Sequence, residues 1–352
     1  MSESWFMPHE GDQHERCWMA WPSGGYTLGE TSADADEARG TWAAVANTIA
    51  QCEPLVMVIE PDDLPIARRL LDGQIEFLEA PLDDAWMRDI GPTFVTRTRE
   101  DGARELGAVN WIFNGWGVQS WARWERDAKI GALVAEAAGA TRIDSPLVNE
   151  GGGIHVDGRG TVLLTESVQL GEGRNPELTH AEVEAEMLRT IGARLAIWLP
   201  RGLWRDSQEF GTRGHVDIVA AFPSPCRVLL HEQRHPAHPD YALTRELREL
   251  LAEARDVDGN PLEVISLPAP HILEDSEGWV DYSYVNHLVC NGAVISCAFD
   301  DPADAAAREV LAAAYPGREI LAVDARPLYA RGGGIHCITQ QQPALGQRLA
   351  VN

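Results

Sequence analysis

Gly-Gly-Gly-Ile-His is written twice in this chain, at residues 151–155 and again at 332–336, about 180 residues apart. A cysteine follows the second copy where a valine follows the first. Repeated phrases at such a separation imply repeated supersecondary units. Glycines at matching turns would let two units bend tightly and approach one centre. On this reading the repetition is architectural, and the residue after the motif, Val156 in the first copy and Cys337 in the second, carries the difference.

The remaining pattern agrees with repetition. Strand-like runs begin at Leu55, Ile75, Val109, Thr161, Arg194, His215, Arg227, Leu262 and Glu319, and they alternate with amphipathic stretches over 33–51, 61–71, 122–138, 181–191, 241–255 and 302–315. That alternation defines an α/β chain. The last five helical stretches have centres spaced roughly 60 residues apart, so about five units is the simplest count. Thr179 with Glu182 has the form of a capping box, and Pro302 and Gly317 bracket the last helix. Asn291-Gly292 between two apolar runs signals a type I′ hairpin. No low-complexity linker interrupts the chain, so residues 1–352 read as a single domain.

With 29 basic and 54 acidic residues, the formal charge of -25 argues against a nucleic-acid partner, which needs a basic surface. It suits solubility first and, beyond that, a small cationic ligand. Six scattered cysteines lack the spacing of a disulfide framework or a metal knuckle, and the N-terminal residues have neither a basic nor an apolar targeting region. No apolar run reaches spanning length. The expectation is a cytoplasmic protein with reduced thiols and no membrane partner.

Four segments concentrate polar residues in apolar or glycine-rich surroundings: 86–94, 149–158, 212–220 and 331–343. They offer Asp89, Glu150, His215, Asp217 and Cys337. A thiolate is a strong nucleophile near neutral pH, an imidazole moves protons there, and carboxylates hold cations. If the run from His215 is a strand, His215 and Asp217 share a face. Cys337 is followed by Thr339 and three glutamines, a stretch poorly suited to a sealed core, whereas Cys290 and Cys297 sit in core-like patterns. Prolines among His231, His235 and His238 break any helix that could align metal ligands, so that segment reads as a solvated loop. Most tryptophans read as packing; Trp86, beside Arg88 and Asp89, is the exception.

Taken in order, CWMAWP, RDIGPTF, EGGGIHVDG, LPRGL, GHVD, YVN and GGGIHCITQQQP give the chain a resemblance to agmatine deiminases, of the guanidine-modifying pentein superfamily. The resemblance covers nearly the whole chain. It implies a five-bladed, pseudo-symmetric α/β-propeller of ββαβ-type units. It further implies Cys337 as nucleophile, His215 as general acid and base, Glu150 as its partner, and Asp89 with Asp217 as the guanidinium clamp beside Trp86. The implied reaction, hydrolysis of agmatine to N-carbamoylputrescine and ammonia through an amidino-cysteine, needs no metal or organic cofactor. A homodimer is implied as well. The approach to GHVD departs from the family: RDSQEFGTRGHVDI is longer than the usual acidic run, which leaves Asp206 or Glu209 as candidate contacts for the substrate tail and sets Arg213 beside a site for a dication. Another alkylguanidine or peptidyl-arginine therefore stands as an alternative substrate, and a non-catalytic pentein binding protein as the alternative of a different class.

Overall fold

The computed structural model describes residues 4–346. Five times the chain makes an antiparallel strand pair, a helix, and a third strand parallel to the second. One unit runs Thr93–Thr98, Arg104–Ile112, Ile130–Ala137, Thr141–Val148; the next runs Ile154–Val156, Thr161–Thr165, His180–Ile191, Leu195–Leu199. Two more follow the same order, with central helices Asp240–Glu253 and Ala303–Ala314. The fifth joins the two ends of the chain. Its first strand is Thr339–Pro343, antiparallel to His14–Ala20, and helix Ser32–Ile49 then leads to Leu55–Ile59. A further helix, Leu64–Leu70, adds an edge strand, Glu76–Glu79.

That arrangement corrects the sequence count in one place. The repeat's helix in this unit is Ser32–Ile49, and Leu64–Leu70 is an appendage outside the recurrence. A regular spacing of helices cannot tell the two apart; only strand pairing does.

Each helix buries one stripe. Asp240–Glu253 turns Leu243, Leu247 and Leu251 inward, and Ala303–Ala314 turns Ala303, Ala307, Leu311 and Ala314 inward. Strands Leu55–Ile59 and Thr161–Thr165 are buried at every position, as strands covered on both faces must be. Helices also pack on the last strand of the preceding unit: His180–Ile191 against Thr141–Val148, Ala303–Ala314 against Glu263–Pro268, and Ser32–Ile49 against Glu319–Asp324. Successive units are thereby interlocked.

The turn chemistry is partly as expected. Thr179 and Glu182 form the capping box. At the Asn291-Gly292 hairpin only Gly292 takes a positive φ, +77°, so the turn is not type I′. The Asn291 side chain is instead committed to the His14 backbone, accepting from its N–H at 3.0 Å and donating to its carbonyl at 2.9 Å.

The run from His215 is not a strand at its start. Residues Val216–Ile218 make a single 3₁₀ turn and the strand begins at Ala220, so His215 and Asp217 are brought together by a turn and not by strand alternation. The stretch from Thr339 through the glutamines is also different from expectation. It is a buried strand, and two of its three glutamines are paired: Trp18 donates to Gln342, Arg88 to Gln340, and Gln340 to the Pro92 carbonyl. His231 and His238 are buried, not solvated, each satisfied separately, by Ser283 and by the Val280 carbonyl. Among the described residues no cluster could hold a metal ion, and no helix is long and apolar enough to cross a membrane. Thr179→Ala should lower unfolding free energy by about 1 kcal/mol, the usual value of such a cap; a denaturant titration with an unchanged slope checks it.

Candidate active site

The five units deliver their functional residues in one way. Just before the first strand of each, a short turn or loop segment carries a polar side chain inward: Asp89, on the single helical turn Met87–Ile90, before Thr93, Glu150 before Ile154, His215 and Asp217 before Ala220, Asn286 before Leu288, and Cys337 before Thr339. The duplicated motif is therefore used in two registers. Ile154 already begins a strand in the first copy, whereas the second copy ends three residues before its strand starts. The triple glycines serve close approach. A Cβ on Gly151 would lie 2.3 Å from the Arg88 carbonyl oxygen, and one on Gly152 would lie 2.5 Å from His215 Nδ1, 3.0 Å from Asp89 Oδ1 and 3.1 Å from Asp217 Oδ2. In the second copy, a Cβ on Gly334 would meet Asn286 Oδ1 at 2.5 Å.

Asp89, Glu150, His215, Asp217 and Cys337 are brought together and buried. His215 Nε2 lies 3.3 Å from Glu150 Oε2, and its Nδ1 lies 3.9 Å from Asp89 Oδ1. Glu150 also takes both its oxygens to Arg174 Nε, at 2.9 and 3.1 Å. Cys337 Sγ lies 3.5 Å from Asp217 Oδ2 and accepts from the Asn286 amide at 3.2 Å. Asp89 accepts from the Trp116 indole at 2.8 Å and from the Gly152 N–H at 3.0 Å. Two atoms of this group, His215 Nδ1 and Asp217 Oδ1, are buried without a hydrogen-bond partner among the described residues. Unfilled polar valences at the centre of a site mark where a ligand's polar atoms fit.

Charge states follow from this packing. Burial opposes a charged imidazole at His215, but the Asp89 and Glu150 carboxylates outweigh it and raise its pKa to about 9. Burial pushes Asp89 up to about 6, with Glu150 and Asp217 adding to the rise against His215. Glu150 and Asp217, also buried, are nonetheless held below the ordinary carboxylate range, by Arg174 and His215 in one case and by His336 and His215 in the other. Burial, with Asp217 and Asp89 alongside, pushes the Cys337 thiol well above its ordinary value.

A pocket leads from Cys337 and Asp89 to the surface between Trp86, Trp116, Trp121, Phe210, Thr212 and Arg331. Trp116 stacks on Trp121 with ring centroids 5.4 Å apart, and Phe210 stacks on Tyr26 at 4.7 Å. Trp116 (φ +56°) and Phe210 (φ +68°) hold a left-handed backbone rare for aromatic residues, a strain retained where a loop shapes a site. Trp86 reaches the pocket as expected. Trp116, Trp121 and Phe210 in the pocket, and Asn286 and Arg174 against Cys337 and Glu150, were not expected, and only the YVN motif flagged one of them.

The two tail candidates fall elsewhere. Asp206 is buried, and its oxygens are spent on the loop itself, accepting from Thr212 N, Thr212 Oγ1, Gly214 N and His215 N at 2.6 to 3.0 Å. It sets the position of His215 and does not line the pocket. Glu209 is exposed and does not line the pocket. Arg213 points away, to Gln119 and the Ser207 carbonyl. Gly202 of LPRGL is explained here too: its Cβ would stand 2.4 Å from Gly214 Cα.

Fold and site together define a class: ββαβ units that present a buried thiol, an imidazole and paired carboxylates at one centre. The profile of the Porphyromonas-type peptidyl-arginine deiminase family matches residues 6–343. Over 341 residues the chain is 54% identical to a Streptomyces coelicolor protein provisionally named an agmatine deiminase, covering 96% of this chain and 98% of that one. An agmatine deiminase of Pseudomonas aeruginosa is 37% identical over 362 residues, with 96% and 95% covered. The solved structure of the agmatine deiminase of Enterococcus faecalis matches with a TM-score of 0.90 at 30% identity, covering 97% of each chain. The chain belongs to the Porphyromonas-type peptidyl-arginine deiminase family, and it is an enzyme of the pentein superfamily.

Two measurements probe this geometry. Because the thiol's pKa is raised, alkylation of Cys337 by iodoacetamide in the free protein should be slow at pH 7 and still accelerating above about pH 9; a plateau reached by neutral pH would contradict the assignment. Gly152→Ala should abolish guanidine turnover while leaving the fold cooperative by thermal unfolding, since the new methyl enters the space between His215, Asp89 and Asp217.

Proposed function

We propose that the protein hydrolyses agmatine to N-carbamoylputrescine and ammonia, with Cys337 as nucleophile. The observation that carries this reading is the pair of unfilled atoms, His215 Nδ1 and Asp217 Oδ1, beside a thiol and a second carboxylate. A guanidinium is planar and donates N–H groups in forked pairs, which suits Asp89 and Asp217 on either side. The five units, each contributing from the segment before its first strand, support closure around this centre as a five-bladed propeller.

The thiol is protonated in the free protein, and the substrate changes that. A guanidinium brings one positive charge into a buried cluster, the thiol gives its proton to solvent, and the thiolate left beside the substrate restores the balance. Cys337 then attacks the guanidinium carbon, held in position by the clamp. His215 gives its Nδ1 proton to the departing nitrogen, ammonia leaves, and an amidino-cysteine remains with the alkyl tail attached. Neutral His215 next takes a proton from water, which attacks the same carbon, and the urea product leaves as the thiol re-forms. Glu150, anchored by Arg174, keeps the imidazole turned with Nδ1 toward the substrate.

The tail lies in the aromatic mouth. The only carboxylate among the described pocket-lining residues is Asp89, already committed to the guanidinium, so the agmatine ammonium meets indole and phenyl faces. Trp121→Ala should raise KM for agmatine about 5-fold, the size of one cation–π contact, with kcat little changed.

The central experiment is ammonia release on agmatine, arginine, butylguanidine and an internal-arginine peptide, with Cys337→Ala as control. Agmatine should give the highest kcat/KM and the variant none. Preference for another guanidine would reassign the substrate. Background rates on all four would favour a binding protein.

A further inference from the structure

Three buried ionisable residues lie next to this site and take no part in the chemistry above: Glu10, His155 and His336. The two histidines are the last residues of the two Gly-Gly-Gly-Ile-His copies, and their rings lie 6.3 Å apart, nearly parallel. Both face Glu10, which enters from the segment ahead of strand His14–Ala20. His336 Nε2 is 3.0 Å from Glu10 Oε1, while His155 Nε2 is 3.7 Å from Oε2. Only the second-copy histidine reaches the reaction centre. Its Nδ1 lies 2.8 Å from Asp217 Oδ2, the oxygen that also faces the Cys337 sulfur.

We propose that Glu10 and His336 are positioning residues, a buried carboxylate and imidazolium that hold Asp217 by one oxygen and leave the other for the guanidinium. The geometry requires something of this kind. A buried carboxylate with one oxygen unfilled turns freely about its last bond unless the other is fixed, and a buried charge without a counter-charge gives up its ionisation. His336 answers both needs at once. Glu10 in turn stops His336 from donating to anything else, and Arg88 Nη1, 3.5 Å from Glu10 Oε1, keeps Glu10 ionised. The charges alternate along the line: Arg88, Glu10, His336, Asp217, and then the substrate. His336 is further fixed by its backbone, whose N–H donates to Asn286 Oδ1 at 3.0 Å while the Arg88 guanidinium donates to its carbonyl.

The physical setting shifts the two histidines in opposite directions. At His155 burial dominates and lowers the pKa to about 3, so it stays neutral, whereas the carboxylates at both ends of His336 raise its pKa despite burial and Arg88. One copy of the repeat thus supplies packing against Glu10 and the other supplies a cation.

This inference rests on the guanidine-binding reading of the site, and the test keeps the two apart. In wild-type protein, inactivation through Cys337 by chloroacetamidine, which carries a guanidinium-like cation, is compared with inactivation by neutral iodoacetamide. The ratio of the two rates reports the clamp without needing turnover. Glu10→Gln keeps the shape and removes the charge. It should lower the ratio and raise KM for guanidine substrate by roughly 10-fold each, the value of a hydrogen bond to a charged group, with iodoacetamide inactivation and melting temperature nearly unchanged. Glu10→Asp should recover part of both. His336→Asn, which retains an uncharged donor near Asp217 and leaves the backbone contact to Asn286, should repeat the effect and serves in place of Glu10→Gln if that variant does not fold. A ratio and KM matching wild type in a folded variant would overturn the positioning role. No cationic preference in wild type would overturn the guanidine-binding reading and this inference with it.

Discussion

The pairing of Thr339–Pro343 with His14–Ala20 is the contact on which the rest depends. It completes a repeat from the two ends of the chain, with Arg16 opposite Gln342 and Met19 opposite Thr339. Two residues before that C-terminal strand stands Cys337, and four before the N-terminal one stands Glu10. Without the pairing neither reaches the centre. Long-range pairing of this kind carries a loop-closure cost that grows only slowly with length, so nearly the whole chain can lie between the partners. Here the backbone ladder fixes the register, and Gln340 and Gln342 add side-chain hydrogen bonds to Arg88, the Pro92 carbonyl and Trp18.

Register matters because the centre is charged and buried. Glu10, Asp89, Glu150 and Asp217 face Arg88, Arg174, His215 and His336, all buried. Ions removed from water persist only when each has a partner at hydrogen-bond distance, and removing one strands the next. The arrangement is therefore costly in isolation and consistent as a set. It leaves the thiol protonated and one carboxylate oxygen unfilled, which is the state a cationic substrate would complete.

Much of the site was legible in the chain. Asp89, Glu150, His215, Asp217 and Cys337 stand out because polar residues among glycines and apolar neighbours seldom serve packing alone. What escaped was contact across units. Arg174 lies in a loop of ordinary composition, and Asn286 carried no cue beyond YVN. Trp116 and Trp121 resemble any packing tryptophan until the loop holding Phe210 closes on them. Asp206 was misplaced for a related reason: an acid near a cationic site suggests a ligand, yet the positive-φ turn at Phe210 and Arg213 consumes both of its oxygens.

Sequence alone determined the α/β alternation, the five-fold recurrence, the net charge of -25, and which residue types could do chemistry, because these depend on composition and local periodicity. Tertiary structure decided which helix belongs to the recurrence, that His215 and Asp217 meet on a turn, and that only one of two identical pentapeptides sets its histidine against Asp217. Those outcomes depend on distances between segments far apart in the chain, where burial and the nearest counter-charge set the state of each group. Identical residues in identical local words took different roles because Asp217 lies within reach of only one of them.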